Sequence, residues 1–151
     1  MDFVPSTFIF PKDRDHFLSY SKKNTNATYI AKPLNGAQGT NIVLFDTLDK
    51  VPGSIAQSMV VQRYLDTPLL INGLKFDLRI YVVVTGVSDG DIHAYLAEEG
   101  LVRFCTEAYQ PPSKKNFEKT YMHLTNYSLN KDSKKFKESD DFLNQNDASK
   151  R

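Results

Sequence analysis

The sequence predicts an α+β domain built mostly of antiparallel sheet. Three observations carry that expectation. From Lys75 to Thr85 the residues alternate at the period of a strand: Phe76, Leu78, Ile80, Val82 and Val84 fall on one side, Lys75, Asp77, Arg79 and Tyr81 on the other. Ser88-Asp89-Gly90-Asp91 then marks a hairpin turn, and Ile92-His93-Ala94-Tyr95-Leu96 returns antiparallel. Elsewhere short strand-like runs recur between Gly, Pro and Asn, while helical periodicity is weak.

Taken in order, Phe8-Ile9-Phe10-Pro11 is a short extended piece, because Pro11 biases Phe10 toward β geometry. Lys12 to Tyr20 suits a short helix with Phe17, Leu18 and Tyr20 as its apolar contacts. Thr28 to Pro33 reads as a strand ended by its proline, and Ile42-Val43-Leu44-Phe45 as its return. The loop between them, Leu34 to Asn41, is long enough to close over something. Leu48 to Ser58 is helical or irregular, since Pro52-Gly53 opposes a long helix. Met59 to Leu65 is a buried strand. Thr67 to Leu70 bends the chain, and Asn72-Gly73 is a turn ahead of the Lys75–Thr85 strand. After the hairpin, Gly100-Leu101-Val102-Arg103-Phe104 continues the sheet.

A chain of 151 residues can hold one domain with a real core. Its net charge of +1 gives no field that selects nucleic acid or a membrane surface, so neither is an expected partner. No run approaches the roughly 20 apolar residues of a membrane helix, and the first residues lack the pattern of a secretory leader. Cys105 is the single cysteine, which rules out a disulfide within the chain and fits a reducing compartment. Its apolar setting reads as a small buried residue, not a nucleophile. Lys131 to Arg151 is a polar tail, forming a loop, a marginal helix or disorder.

Several side chains can carry chemistry, each with a plainer reading beside it. Lys32 precedes a loop containing Gly36 and Gly39. A lysine there can meet a phosphate, and glycine N–H groups can approach its other oxygens. The GxxxxGK(S/T) loop is absent, and a flexible hairpin accounts for the same residues. Gln62 can read an adenine edge or cap a neighbouring backbone. Arg79 and Arg103, on neighbouring strands, offer bidentate donors to phosphate or carboxylate. Asp77 can accept from a ribose hydroxyl or neutralise Lys75 and Arg79. His123, Thr125 and Asn126 suit a turn entering a site or a satisfied surface loop.

Five blocks in order give a sharper reading: Tyr29-Ile30-Ala31-Lys32-Pro33, Val61-Gln62-Arg63-Tyr64-Leu65, Lys75-Phe76-Asp77-Leu78-Arg79-Ile80-Tyr81, Glu99-Gly100-Leu101-Val102-Arg103-Phe104 and Met122-His123-Leu124-Thr125-Asn126-Tyr127-Ser128. Together they resemble the tubulin–tyrosine ligase-like family of the ATP-grasp superfamily, nearly throughout the chain up to Lys131. The third and fourth blocks are most similar to the tubulin polyglutamylase branch. The resemblance implies an ATP-grasp-like fold, with residues 1–130 as the sheet-rich central part of a catalytic domain incomplete at both ends. It also implies ATP and Mg²⁺ as cofactors, glutamate as co-substrate, and tubulin C-terminal tails on microtubules as partners. The setting would be cytoplasmic and cytoskeletal, including the cilium or basal body.

By the same resemblance Lys32 would contact ATP phosphates. Gln62 and the backbone of Arg63, Tyr64 and Leu65 would hold the adenine. Lys75 and Asp77 would help seat the nucleotide. Arg79 and Arg103 would be catalytic, facing the γ-phosphate. His123, Thr125 and Asn126 would line the ribose and phosphates. The family's chemistry activates a carboxylate as an acyl phosphate, which an amine then attacks.

Two departures stand out. Gly39-Thr40-Asn41-Ile42 replaces the family's Gly-Arg-Gly-Ile or Gly-Lys-Gly-Ile, removing a cation and a glycine from the loop. The family's Glu-x-Asn motif and magnesium carboxylate have no counterpart after Asn126, and Asp140-Asp141 reads as solvated charge. The expectation is a piece of a larger protein that carries most of the nucleotide cradle, with the metal ligands outside it, and that is inactive alone. Other readings are a non-catalytic module binding ATP or tubulin, a glycylase, and a ligase for another acidic protein. Lys131, Lys134, Lys135 and Lys137 can attract an acidic tail or simply be solvated.

Overall fold

The computed structural model describes residues 3–36, 39–53, 58–88 and 90–136. Asp89, Lys137, Asp140 and Asp141, which entered the reading above, lie outside the described residues, as does the rest of the polar tail beyond residue 136.

The N-terminal part is a four-stranded antiparallel sheet. Its strands are β1 (Thr7–Ile9), β2 (Tyr29–Pro33), β3 (Val43–Phe45) and β4 (Met59–Arg63), in the order β1-β4-β2-β3. Helix α1 (Arg14–Lys23) follows β1 and begins two residues later than the sequence suggested. The pleat divides the side chains between two faces. Tyr29, Ala31, Phe45, Met59 and Val61 join Phe8, Phe10 and Phe17 in an aromatic-rich core under α1. Phe17 is its hub, with ring centroids 5.3 Å from Phe8, 5.7 Å from Phe10 and 4.9 Å from Tyr29. Edge-to-face packing of this kind adds to simple burial. Ile30 and Leu44 point to the other face, where they meet Tyr64 and Leu124 in a second core. A short 3₁₀ turn (Leu48–Lys50) follows β3.

The C-terminal part begins with a tight hairpin. Strands β5 (Leu70–Ile71) and β6 (Leu74–Arg79) are joined through Asn72 at φ 52° and Gly73 at φ 74°. Two positive φ values in succession are what a two-residue hairpin loop requires, and Asn-Gly supplies them. Strand β5 replaces the simple bend expected at Leu70. Strands β7 (Val82–Ser88) and β8 (Asp91–Leu96) pair as an antiparallel hairpin, as expected, and β9 (Leu101–Phe104) pairs with β6. Two single helical turns, α2 (Thr120–His123) and α3 (Tyr127–Asn130), complete the described chain and carried no periodic signal.

The reading of the Lys75–Thr85 stretch is corrected by the structure. The continuous strand from Lys75 to Thr85 is two strands, broken at Ile80 and Tyr81. The reason is a mismatch in the returning chain: Arg79 pairs with Leu101 and Val82 with Leu96, so Ile80 and Tyr81 lie opposite four residues, 97–100, and regular pairing fails there. Gly100 lies so close there that a Cβ would stand 2.6 Å from the Arg79 carbonyl oxygen. The apolar side of that stretch is also not buried. Leu78 is 56% exposed and Ile80 57%, because no described element packs over them. Alternation reports which residues share a face, not whether anything covers it. Among the described residues no helix is long and apolar enough to cross a membrane.

Candidate functional site

The face of the first sheet opposite α1 carries the first candidates. Lys32 lies two residues beyond Ile30 on β2, and Gln62 is the β4 partner of Ile30. The Lys32 Nζ donates to Gln62 Oε1 at 3.0 Å, and Gln62 Nε2 donates to Thr7 Oγ1 at 2.9 Å. Each end of the amide thus has a partner of the right polarity, which fixes its orientation. Burial holds the Lys32 ammonium below the usual lysine range. Arg63 falls on the α1 side of the sheet beside Tyr20, and its N–H donates to the Ser6 carbonyl. The Tyr64 N–H donates to Thr28, and Leu65 is exposed.

Lys75, near the start of β6, reaches into the second core. Its Nζ donates to Tyr64 Oη at 3.0 Å and to the His123 carbonyl at 2.8 Å, and lies 4.5 Å from the Tyr64 ring centroid. His123 is 1% exposed, so both of its ring nitrogens must be satisfied inside the protein. Nε2 is 3.1 Å from the Asn116 carbonyl oxygen, and Nδ1 is 3.0 Å from Tyr64 Oη. A carbonyl only accepts, so Nε2 carries the proton. Nδ1 then accepts from the Tyr64 hydroxyl, whose oxygen in turn accepts from Lys75. Burial, helped by Lys75, keeps the imidazole below its ordinary pKa against the opposing pull of the Asn116 carbonyl. Burial and then Tyr109 push the Tyr64 phenol well above the tyrosine range. Lys75 is itself lowered by burial and by Lys32, although Cys105 and Asp77 act the other way.

Asp77 and Arg103 face each other across β6 and β9. They form a forked ion pair: Arg103 Nε is 3.1 Å and 3.2 Å from the two Asp77 oxygens, and Nη2 also donates to Oδ2. The carboxylate raises the guanidinium pKa still further, chiefly through the hydrogen bond. Asp77 therefore pairs with Arg103 and not with Lys75 or Arg79. Arg79, at the exposed end of β6, lines a cleft at the strand break with Glu98, Glu99 and Gly100. Cys105 is fully buried, and burial pushes its thiol up to about 12, as expected of an inert residue.

The segment Thr125–Asn126 leads from α2 into α3. Gly39 packs against it: a Cβ there would lie 2.9 Å from Leu129 Cδ1 and 3.0 Å from Asn126 Cγ. At φ 84° this position also favours glycine. The glycine loop and the His-Leu-Thr-Asn segment are thus adjoining walls. Behind them the buried Asn130 accepts from Thr106 and donates to the carbonyls of Leu124 and Asn126. Sequence reasoning missed Asn130, Asn116, Thr7 and the hydroxyl of Tyr64 as supports. Only Tyr64, a polar-tipped residue closing an apolar run, left a trace in the sequence.

The structure links Lys32, Gln62, Tyr64, Lys75, Asp77, Arg103 and His123 by hydrogen bonds or charge contact; Arg79 and the Arg63 side chain stand apart. The group has an anion-binding character. Neither Lys32 nor Lys75 forms an ion pair among the described residues, and the Lys32 ammonium lowers the pKa of Lys75. Lys75 uses two of its three N–H donors on protein, and the third has no described partner. A polyanion between the two ammonium groups would relieve their repulsion, so the donor set fits a phosphate chain. Among the described residues no group of three His, Cys, Asp or Glu side chains is placed to hold a metal ion.

Comparison with known proteins gives a consistent family. The description "Tubulin-tyrosine ligase family" matches residues 1–150. The tubulin polyglutamylase TTLL7 of Mus musculus is 46% identical over 138 residues, covering 89% of this chain and 15% of that protein. The tubulin polyglutamylase TTLL6 of Homo sapiens is 43% identical over 135 residues, with the same 89% and 15% coverage. Among solved structures, the C-terminal domain of K. lactis Pby1, an ATP-grasp enzyme interacting with the mRNA decapping enzyme Dcp2, is similar over 85% of this chain and 41% of that one, with 21% identity and a TM-score of 0.49. This chain spans 15% of the length of the two polyglutamylases.

Proposed function

The chain belongs to the tubulin-tyrosine ligase family, and on that premise we propose that its protein is an ATP-dependent ligase adding glutamate to glutamate side chains of tubulin C-terminal tails. The observation that carries the reading is the pair of half-buried ammonium groups, Lys32 and Lys75, neither of which forms an ion pair among the described residues; Asp77 acts on Lys75 from a distance but is itself forked to Arg103. Burying two like charges is unfavourable unless an anion completes the site.

In this reading Lys32 and Lys75 hold the nucleotide phosphates. Gln62, placed and oriented by Thr7, lies at the adenine side with the backbone of Arg63, Tyr64 and Leu65. Asp77, Thr125 and Asn126 border the ribose and phosphates. ATP, when bound with Mg²⁺, supplies the phosphoryl group that activates a carboxylate. Arg103, fixed by its fork to Asp77, presents its remaining guanidinium edge to negative charge that grows during transfer. Arg79 provides a second cation from the neighbouring cleft. His123 has both ring nitrogens engaged, so its contribution runs through Tyr64 and Lys75. Metal ligands are assigned to parts of the protein beyond this segment. Such a protein would work on microtubules, in the cytoplasm and in cilia.

The test is incorporation of radiolabelled glutamate into tubulin by the full-length protein. We expect ATP-dependent labelling that falls about 100-fold in Lys32→Ala and in Lys75→Ala, on the scale of losing one strong charge-assisted contact. Labelling that ignores ATP, or survives both substitutions, overturns the assignment. Incorporation of glycine in place of glutamate identifies a glycylase instead.

A further inference from the structure

We propose that Tyr64 and His123 are positioning residues for Lys75: a buried relay from the Asn116 carbonyl through the imidazole and phenol holds the ammonium in one place, leaving one N–H for a nucleotide phosphate. This inference rests on the nucleotide reading given above.

The Asn116 carbonyl sets the polarity of the relay at its start. Asn116 O accepts from His123 Nε2 at 3.1 Å, which makes Nδ1 an acceptor. Nδ1 takes the Tyr64 proton at 3.0 Å, which turns the oxygen lone pairs toward Lys75 Nζ, also at 3.0 Å. The His123 backbone carbonyl takes a second N–H at 2.8 Å, so one residue orients the lysine through both its ring and its main chain. The aromatic face of Tyr64 supports the cation from a third direction. A lysine side chain has much rotamer freedom to lose on binding, and a lysine already fixed loses less. From Asn116 to Tyr64 each polar group of the relay has a partner, only the third Lys75 N–H is left over, and His123 is almost fully buried, so the arrangement cannot relax by reaching solvent.

The relay also keeps the ammonium charged. The groups facing Lys75 are Lys32 from β2, Tyr64 beyond β4, Asp77 from β6, Cys105 beyond β9, and His123 from α2; Tyr109, whose hydroxyl donates to the Asp66 carbonyl, is hydrogen-bonded to Tyr64 on its far side. Burial and Lys32 favour the neutral amine. The Tyr64 oxygen and the His123 carbonyl accept from the charged form and oppose them. Removing the Tyr64 oxygen shifts that balance while leaving the ring beneath the amine.

The test uses the full-length protein and competitive acetylation of Lys75 by acetic anhydride from pH 7 to 11, read by peptide mass spectrometry without nucleotide. In Tyr64→Phe the titration midpoint of Lys75 should fall by about one pH unit, the effect of losing one acceptor to a charged group. The Kd for a non-hydrolysable ATP analogue, measured by calorimetry, should rise about tenfold. His123→Asn should move both readings the same way, and the double variant should be little worse than either single one. Should Tyr64→Phe not fold, His123→Asn carries both measurements. Phe17→Leu, in the other core, should lower the melting temperature without moving the Lys75 midpoint. A Lys75 midpoint and Kd unchanged in a folded Tyr64→Phe or His123→Asn protein overturn the relay. If the wild-type protein fails to bind the analogue, the nucleotide reading falls and the proposal falls with it.

Discussion

Acidification should reveal His123 in the stability of the fold. The imidazole is neutral in the folded protein, with Nε2 donating to Asn116 and Nδ1 accepting from Tyr64, and burial with the nearby Lys75 ammonium disfavours a second proton. The folded-state pKa therefore lies below the unfolded value, given as 6.5 for an unperturbed histidine. As pH falls, the unfolded chain takes up the proton first. The stability tied to neutral His123 is thus fully present above the unfolded value. It is lost as pH drops from there toward the lower folded value. Protonation of the unfolded chain alone sets a ceiling of about 2 kcal/mol at pH 5, from 1.36 kcal/mol per pH unit. The assay is urea denaturation of wild type and His123→Gln at pH 7 and pH 5. Glutamine does not titrate, and all other groups are common to both proteins, so the difference between the two pH dependences isolates this one side chain. The variant should be the less stable at pH 7, and the gap should narrow by up to about 2 kcal/mol at pH 5. Parallel pH dependences would refute a buried neutral histidine.

Four further perturbations follow from particular contacts. Phe17→Ala should cost about 4 kcal/mol in denaturant unfolding, because Phe17 is the hub of the aromatic core under α1; a loss below 2 kcal/mol contradicts that packing. Tyr29→Phe should stabilise by about 1 kcal/mol, since the Tyr29 hydroxyl is buried with no hydrogen-bond partner among the described residues; a measured loss means that the hydroxyl has one. Gly39→Ala should cost about 2 kcal/mol through its positive φ and the clash with Leu129 and Asn126, and should raise the KM for ATP; an unchanged KM separates this loop from the nucleotide. Arg103→Ala should cost about 1–2 kcal/mol by leaving Asp77 unpaired and should abolish glutamate transfer; retained turnover removes Arg103 from the reaction.

Much of the fold was legible because local rules decided it. Strands β2, β3, β4 and β8 lie where short apolar runs are bounded by proline, glycine or asparagine. The Asn72-Gly73 turn could be read from two residues because few others tolerate its backbone. The break at Ile80 and Tyr81 was not legible. Nothing in the Lys75–Thr85 alternation says that one strand ends and another begins, because the break arises from the two extra residues that the returning segment 97–100 places opposite Ile80 and Tyr81. The exposure of Leu78 and Ile80 was hidden as well.

By itself the sequence determined the antiparallel, sheet-rich class, the inert cysteine and the ordered blocks that mark the family. Residue type and spacing suffice for these, since each rests on neighbours along the chain. Only the tertiary structure decided which charges neutralise one another and which do not. Asp77 could have served Lys75, Arg79 or a ligand, and cross-strand register gives it to Arg103. Lys32 and Lys75, 43 positions apart in sequence, come to share an electrostatic field with no ion pair to either among the described residues, because β2 and β6 deliver them to the same wall. Hydrogen bonds and Coulomb forces act over a few ångströms of space, a distance that the linear order of residues does not contain.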